Sequence, residues 1–294
     1  MPDIREFDWR KFASLLYTKV FDTDLFGRAA QVAFYFSFAF FPLLLFLVTL
    51  FGLVLDSTES LQHELYRYLG SILPGTAFQL VRTTMDEIIE SSTSGKLTLG
   101  LLATLWSASA GVDSLRSALN AVYEVREKWP WWKLKLQSLL LTFLFILLLA
   151  VGLTIVTAGN RLIEFAAAGA GYPQSPSFVL SAIQWIFLVG VLVLATAVIY
   201  NWLPRVENLR WKFITAGSAV AIILWILLTS SFRLYLHYFN SYNKAYGSLG
   251  AVIILMLWMY LSALAILIGG AINSVRAEIP APPKEDPDPP VEPD

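Results

Sequence analysis

Six long runs without Asp, Glu, Lys or Arg dominate the sequence. They cover about half of its 294 residues, at 29–55, 97–112, 136–160, 177–203, 213–232 and 245–275. A bilayer core of about 30 Å requires roughly 20 apolar residues in a helix, because every backbone polar group must be hydrogen-bonded within its own segment. The pattern therefore predicts an all-α, polytopic membrane protein: a bundle of six transmembrane helices with amphipathic interfacial helices. The run at 97–112 is short, so its polar continuation is expected at the interface.

The remaining segments divide the chain into three parts. Residues 1–28 carry apolar side chains at roughly helical spacing among basic ones, which predicts a cytoplasmic N-terminal interfacial helix. Residues 29–275 form the membrane domain, whose outer loop at 56–96 is expected to hold two amphipathic helices. Residues 276–294 are rich in Pro and acids and cannot build a core, so they are predicted to be a disordered cytoplasmic tail.

Basic residues between the runs set the orientation. With the N-terminus inside, 15 Lys and Arg residues fall in inside segments and 6 in outside segments. Cytoplasmic loops carry an excess of Lys and Arg, so both termini are expected to be cytoplasmic. Tryptophan prefers the headgroup level, and several tryptophans flank the inside ends of the runs, at 129, 131, 132, 202 and 211.

Composition excludes several kinds of chemistry. The chain has no Cys and two His, which rules out disulfides, thiol catalysis and nearly every zinc site. A net charge of −1 gives no bulk attraction to nucleic acid, and no phosphate-binding Gly-x4-Gly-Lys-Ser/Thr motif is present. We therefore expect no enzyme activity, cofactor, metal or nucleic-acid partner. No ionisable residue lies deep within any run, which disfavours ion-coupled transport and favours a substrate with its own hydrophobic body.

The second run continues into a helix with a polar face. At about 100° per residue, that face holds Ser109, Asp113, Arg116 and Asn120. Charges in hydrocarbon are costly, so this face must look into protein or water. It either lines or gates a path for a polar headgroup, or it holds a structural Asp113–Arg116 pair at the interface. The structural pair is the favoured alternative, because ion pairs near helix ends commonly serve stability alone.

Two further groups of residues are candidates for a substrate path. Outer ends of the third and fifth runs carry Asn160, Arg161, Arg233 and Tyr235, which can form a cationic, aromatic mouth for phosphate. Interfacial snorkelling explains the same residues equally well. The connection before the sixth run has the turn chemistry to re-enter the membrane or to cap the helix, or it is a plain turn. Its candidates are Tyr242, Asn243, Tyr246, Gly247 and Ser248.

Several strings together resemble the YihY/BrkB family of bacterial inner-membrane proteins, formerly named ribonuclease BN. They are AA at 29–30, FY at 34–35, FPL at 41–43, LWSAS at 105–109, GVDSLRSALNAVY at 111–123, LP at 203–204, YNKAYGSLG at 242–250 and LWMYLSA at 257–263. The resemblance implies six spans, both termini inside and the bacterial inner membrane. Transport has been suspected for the family, including movement of phospholipid. One departure is Ala271, which stands where many relatives carry Glu, so a mechanism that depends on that carboxylate is in doubt here.

Three functions from different classes follow. The favoured one is a transporter or conduit for a lipid or another amphiphile in envelope biogenesis, with membrane lipids as its partners. The alternative is a non-catalytic membrane scaffold that recruits a periplasmic or other envelope protein. A metal-dependent ribonuclease is disfavoured, because metal-assisted phosphodiester cleavage needs clustered His and carboxylate side chains that the sequence lacks. The oligomeric state is left open.

Overall fold

The computed structural model describes residues 8–54, 97–169, 177–206, 211–238 and 248–279, with ten single residues between His63 and Asp86. Within these ranges the chain is all-helical. The helices are α1 (Trp9–Asp22), α2 (Leu25–Val54), α3 (Leu97–Val122), α4 (Trp131–Gly169), α5 (Ser177–Trp202), α6 (Ala216–Tyr238) and α7 (Ser248–Glu278). The all-α class is therefore confirmed. Most of the predicted outer loop at 56–96, and the predicted tail from 280 onward, lie outside the described residues.

Each of the helices α2 to α7 overlaps one of the six charge-free runs, and α3 and α4 extend beyond theirs. In the described part of the chain, four segments are long and apolar enough to cross a membrane: Trp131–Gly152, Ala182–Trp202, Ala216–Leu236 and Val252–Glu278. Helices α2 and α3 have 30 and 26 residues, so at 1.5 Å per residue they reach roughly 39 Å or more. The structure thus shows several membrane-spanning candidates, and the count of six spans stays a prediction.

Helix α1 begins and ends at recognisable caps. The Asp8 carboxylate accepts hydrogen bonds from the backbone N–H groups of Arg10 and Lys11, at 3.1 and 3.0 Å, which satisfies donors that have no partner inside the helix. At the other end the Thr23 hydroxyl donates to the Lys19 carbonyl at 2.7 Å, and Asp24 adopts a positive φ of 48°. This turn redirects the chain into α2.

The core lies where α2, α3 and α7 meet, with α4, α5 and α6 packed around them. Its side chains are mainly Leu, Ala and Val, as expected of helices that are apolar on several faces. Fully buried examples are Leu25, Val32, Leu115, Leu119, Val122, Leu203, Leu267 and Val275. The alanine that departs from the family pattern, Ala271, is also fully buried in this apolar cluster.

Helices α6 and α7 approach each other at a pair of glycines. A Cβ added at Gly217 would overlap the Gly269 carbonyl oxygen, and one added at Gly269 would overlap the Tyr200 hydroxyl. The Tyr200 hydroxyl donates to the Ile266 carbonyl at 2.8 Å, and the Asn273 side-chain oxygen accepts from the Gly217 N–H at 2.9 Å. Small residues let backbones approach closely in membrane helices, and these polar bonds then fix how far α6 slides along α7.

In the described part of the chain, one end of the bundle carries most of the polar contacts between helices. We call it the α1 end: it consists of α1 with the helix ends at Val122, Trp131, Trp202, Ala216 and Glu278. The Lys19 ammonium lies there, 2.6 Å from carboxylate oxygens of both Glu124 and Glu278. The candidate site described next lies at this end.

Candidate functional site

The polar face predicted on α3 leads into an ionic cluster at the α1 end. We define the ionic cluster as Asp113, Arg116, Glu127 and Lys135, with the neutral side chains of Asn120 and Ser138. Helix α3 supplies its residues at one-turn spacing, so they share one side of the helix. The first two turns of α4 supply Lys135 and Ser138, and the connection between α3 and α4 supplies Glu127.

Arg116 is the centre of the ionic cluster, and it is buried. Its Nε lies 2.9 Å from Glu127 Oε1, and its Nη2 lies 3.1 Å from Asp113 Oδ1. Its Nη1 donates to the Leu134 carbonyl at 2.9 Å and to the Ser138 hydroxyl at 2.7 Å. Every nitrogen of the guanidinium therefore has an acceptor, as a buried Arg requires.

Asp113 is shared between several partners. Besides Arg116 it contacts the Lys135 ammonium, whose Nζ lies 3.0 Å from Oδ2, and it accepts a hydrogen bond from the Ser138 hydroxyl. Lys135 also lies over the ring of Trp106, 4.6 Å from its centroid. These contacts fasten the start of α4 to α3, so the Asp113–Arg116 pair has the geometry of a structural pair.

Asn120 joins the ionic cluster to the connection between α5 and α6. Its amide nitrogen donates to Glu127 Oε1 at 2.9 Å, and its amide oxygen accepts from the backbone N–H of Arg205 at 3.0 Å. Arg205 lies outside a helix, so its backbone N–H has no intrahelical acceptor, and the Asn120 side chain supplies one. It also brings Arg205 next to the ionic cluster.

A cavity of about 720 Å³ opens beside the ionic cluster. We call it the α1-end cavity. Its walls come from the α3–α4 connection, the start of α4, the end of α5 and the first residues of the α5–α6 connection. The lining residues are Val125, Arg126, Glu127, Lys128, Trp129, Leu134, Gln137, Asn201, Trp202, Pro204, Arg205 and Val206. A volume of this size accommodates a small ligand or a lipid headgroup.

Arg205 is the most constrained cation of the α1-end cavity. Its guanidinium carbon lies 3.2 Å from the centroid of the Trp129 ring, and its Nη2 donates to the Gln137 amide oxygen. The Gln137 amide nitrogen in turn donates to the Trp202 carbonyl at 2.7 Å. Burial lowers the pKa of Arg205, the nearby Arg116 cation lowers it further, and Glu127 partly opposes both effects.

The other predicted residues are not brought into this site. Ser109 is buried, and its hydroxyl donates to the Trp106 carbonyl of its own helix at 2.6 Å. Arg233 and Tyr235 are exposed near the other end of α6. Arg233 is 17 residues from the start of α6, a distance of about 25 Å along the axis. The α1-end cavity and Arg233 therefore lie at opposite ends of the bundle.

Seven predicted residues are beyond what the structure describes at side-chain level. Asn160 and Arg161 lie within α4, and Ser248 is the first residue of α7, but their side chains are outside the described part. The remaining four, Tyr242, Asn243, Tyr246 and Gly247, belong to the connection before α7 and lie outside the described residues. The predicted outer mouth and re-entrant turn stay predictions.

Several residues of the site were not predicted as site residues from the sequence. Glu127 and Arg205 lie in connections, where no periodicity assigns a facing direction, and Lys135 entered only as a positive charge near a span end. Gln137 and Ser138 are ordinary polar residues in the first turns of a span. A usable signal was present: the segment 126–135 combines basic residues with three tryptophans directly before a charge-free run.

The lining of the α1-end cavity combines basic, acidic and aromatic side chains. Among the described residues it carries three basic side chains, Arg126, Lys128 and Arg205, and one carboxylate, that of Glu127. That carboxylate is already engaged by Arg116 and Asn120. Trp129, Trp202 and Leu134 add apolar surface. In the part of the chain that the structure describes, no group of three or more His, Cys, Asp or Glu side chains is placed to hold a metal ion.

The fold and the site define a multi-pass helical membrane protein with a polar, tryptophan-rich end. The chain belongs to the virulence factor BrkB family, whose model matches residues 16–292, so the resemblance found in the sequence is confirmed. No solved structure matches the chain.

Curated relatives agree with this assignment. The chain is similar to a ribonuclease-like protein, YfkH, of Bacillus subtilis (strain 168), with 30% identity over 261 residues, 89% of this chain and 93% of the relative. It is also similar to UPF0761 membrane proteins of Xanthomonas oryzae pv. oryzae (strain PXO99A) and Xanthomonas campestris pv. campestris (strain B100). Both are 26% identical to it, and the match covers 90% of this chain and 60% of each relative's length.

Proposed function

We propose that this protein transports a lipid or another amphiphile in envelope biogenesis and that its headgroup enters the α1-end cavity. One observation carries the proposal: the cavity lies beside the ends of two candidate spans, at Trp131 and Trp202, and combines cations with tryptophans. Amphipathic rings favour the headgroup level of a bilayer. An amphiphile there keeps its apolar chains in lipid while its headgroup contacts Arg126, Lys128 or Arg205.

The proposal includes six spans and an inner-membrane location, with the α1 end in the cytoplasm. All of the basic residues assigned to inside segments lie at the α1 end, except Arg5, Arg210 and Lys284, which are outside the described residues. This distribution supports the orientation, since basic residues are retained on the cytoplasmic side.

The packing next to the cavity favours a route along the edge of the bundle. Leu115, Leu119 and Leu203 are fully buried between the helices close to the ionic cluster. They fill the space that a polar passage through the centre would need at this depth. The headgroup is therefore proposed to move along the lipid-facing side of the cavity, with its acyl chains remaining in the bilayer.

Reconstituted vesicles test the transport proposal. Full-length protein is inserted into vesicles that contain a fluorescent phospholipid, and an impermeant quencher measures how fast the labelled headgroup changes leaflet. We expect faster movement with the wild type than in protein-free vesicles, and slower movement with Arg205→Gln than with Lys11→Gln, an exposed cation on α1 that does not line the cavity. Equal rates with and without protein would remove the proposal.

A scaffold is the second candidate, and the tight packing of the bundle favours it. Glycine contacts pack α6 closely against α7, and the Lys19 bridges tie α1 to the end of α7 and to the turn after α3. In this alternative, the bundle presents an anchored surface to an envelope partner. Site-specific crosslinks to one envelope protein, together with no lipid movement in the vesicle assay, would favour the scaffold over transport.

A non-enzymatic role is part of the proposal. Although a relative is named ribonuclease-like, the carboxylates of the ionic cluster are engaged by Arg116 and Lys135. An assay with purified protein and labelled RNA tests this point. Metal-stimulated cleavage that a single carboxylate substitution abolishes would contradict it.

A further inference from the structure

No acidic side chain in the described residues forms an ion pair with Arg205; the nearby Glu127 carboxylate contacts Arg116 instead. Only one of the Arg205 side-chain hydrogen bonds is formed, from Nη2 to Gln137, and its Nε is buried without an acceptor. A buried charged donor without a partner costs several kcal/mol in general, unless something else supplies the missing interaction. Arg116, its neighbour, differs because Asp113 and Glu127 neutralise it.

The surroundings hold Arg205 in place without neutralising it. The Trp129 ring lies against the guanidinium, and a ring face attracts a cation but carries no net charge. The neutral Gln137 amide accepts a hydrogen bond from the guanidinium. The same amide donates to the Trp202 carbonyl, which fixes its orientation. A glutamate at position 137 would have supplied a counter-ion with the same shape. The geometry keeps the cation oriented and available.

The charge of the lining points to one class of ligand. Among the described residues, Arg126 and Arg205 line the α1-end cavity without an ion-pair partner, and the Glu127 carboxylate is engaged by Arg116, so these two cations bring two positive charges to the lining. Phosphate monoesters carry between one and two negative charges at neutral pH and offer several acceptor oxygens, and a guanidinium binds them in a bidentate manner. A carboxylate ligand would compensate only half of that charge.

We infer that the α1-end cavity binds a phosphate monoester or inorganic phosphate, with Arg205 as the principal ligand and Gln137 as the residue that positions it. This inference deepens the proposed function and relies on it only for the expectation that the phosphate belongs to a lipid. Binding is measured apart from transport, so the two can fail separately.

The test uses full-length protein in detergent micelles and three soluble probes. These are inorganic phosphate, short-chain phosphatidic acid and short-chain phosphatidylcholine, and binding is measured by calorimetry and by the rise in Tm. We expect the affinity for phosphatidic acid to fall by about 10- to 100-fold in Arg205→Gln, the loss of a charge-assisted bidentate contact. Gln137→Glu is expected to weaken binding as strongly, because an internal carboxylate then occupies the guanidinium.

Two comparisons separate a binding role from a structural one. Arg205→Lys keeps the charge but loses the planar fork, so we expect weakened binding with an almost unchanged Tm of the ligand-free protein. Lys11→Gln removes a cation of the same end that does not line the cavity, and is expected to bind as the wild type does.

The probes also identify where the phosphate comes from. Binding of phosphatidic acid without inorganic phosphate assigns the site to a lipid headgroup, and binding of both assigns it to the phosphate group itself. Preference for phosphatidylcholine over both would overturn the inference. So would unchanged phosphatidic acid affinity in both Arg205→Gln and Gln137→Glu, or no binding of either phosphate probe to the wild type.

Discussion

The Lys19 ammonium lies 2.6 Å from Glu278 Oε1, although the two residues are 259 positions apart. The same ammonium lies 2.6 Å from Glu124 Oε1, in the turn that follows α3. Only 7% of the Lys19 side chain is exposed, whereas the two carboxylates are largely accessible, at 69% and 45%. One buried cation therefore ties α1 to the ends of α3 and α7.

Removing both carboxylates should destabilise the protein more than the sum of the two single changes. Glu124→Gln and Glu278→Gln alone are each expected to cost less than about 1 kcal/mol, because the other carboxylate remains. The double variant leaves a buried ammonium without a charged partner and should cost roughly 2–4 kcal/mol. Unfolding in mixed micelles, monitored by circular dichroism, measures these values. Arg276→Gln, an exposed change two residues from Glu278, is the matched control, and simple additivity of the two Glu variants would contradict the shared role.

The Lys19 bridges also predict how stability depends on pH. Burial acts to lower the pKa of Lys19, but the hydrogen bonds and charges of Glu124 and Glu278 outweigh it, so the pKa is raised above its ordinary 10.5. A raised pKa gives stability that is fully present below the unfolded-state value and is lost as pH rises through the folded-state value. We expect the stability difference between wild type and Lys19→Met to be constant from about pH 7 until the pH approaches the ordinary pKa of 10.5, and to shrink above it. A difference that already declines near neutral pH would contradict the assignment.

The contact of Gly217 with Gly269 predicts a large loss of stability when a single methyl group is added there. In Gly269→Ala the new Cβ would overlap the Tyr200 hydroxyl and the Gly217 carbonyl, so α6 and α7 must separate. We expect a loss of about 3 kcal/mol or more, since overpacking of this kind moves backbone. Gly190→Ala is the control: nothing lies within 4 Å of its added Cβ, and it should be neutral or stabilising. Comparable Tm losses in the two variants would show that the glycine contact is not the cause.

Much of the fold and part of the site were predictable from the sequence. Runs without charges locate the helices, because hydrocarbon tolerates neither unpaired backbone nor bare ions. Helical periodicity likewise places Asp113, Arg116 and Asn120 together, and the structure brings all three into contact with the same few residues. Periodicity is a local property, and it works where the element is regular.

The rest of the site depended on tertiary contacts that no periodicity contains. Ser109 shares the face of Asp113, yet its hydroxyl bonds back to its own helix, as serines in helices often do. Arg205 lies in a connection and reaches the site only because Asn120 binds its backbone N–H. Glu127 contacts Arg116 and Asn120 and forms no ion pair with Arg205. Tertiary packing decides this choice of partners, so the sequence alone does not predict it.

The ionic cluster should behave as one unit when its members are changed. Arg116→Gln leaves Asp113 and Glu127 without the cation that they share, and we expect a loss of about 3–5 kcal/mol. Arg116→Lys is expected to recover little of the stability that Arg116→Gln loses, since one ammonium cannot reach all the acceptors that the planar guanidinium contacts. A double-mutant cycle with Asp113→Asn measures the coupling free energy, expected at roughly 1–3 kcal/mol. Coupling near zero would mean that the pair only lies close together.

The absence of cysteine from the sequence allows a direct test of orientation. Lys11→Cys places a thiol on α1, and Tyr238→Cys places one at the last residue of α6, beyond the candidate span that ends at Leu236. Tyr238 is 74% exposed, so a thiol there is accessible to reagents.

Because basic residues concentrate at the α1 end, and the cytoplasmic side retains basic residues, the thiol at position 11 should be shielded in intact spheroplasts and the thiol at 238 should not. We expect an impermeant maleimide to label Tyr238→Cys in intact spheroplasts and Lys11→Cys only after permeabilisation. The wild type, without thiols, reports background. Labelling of both thiols after permeabilisation shows that each is accessible, so the difference before it measures sidedness alone. The reverse pattern would place the α1-end cavity on the outer face, where a headgroup would enter it from the opposite leaflet.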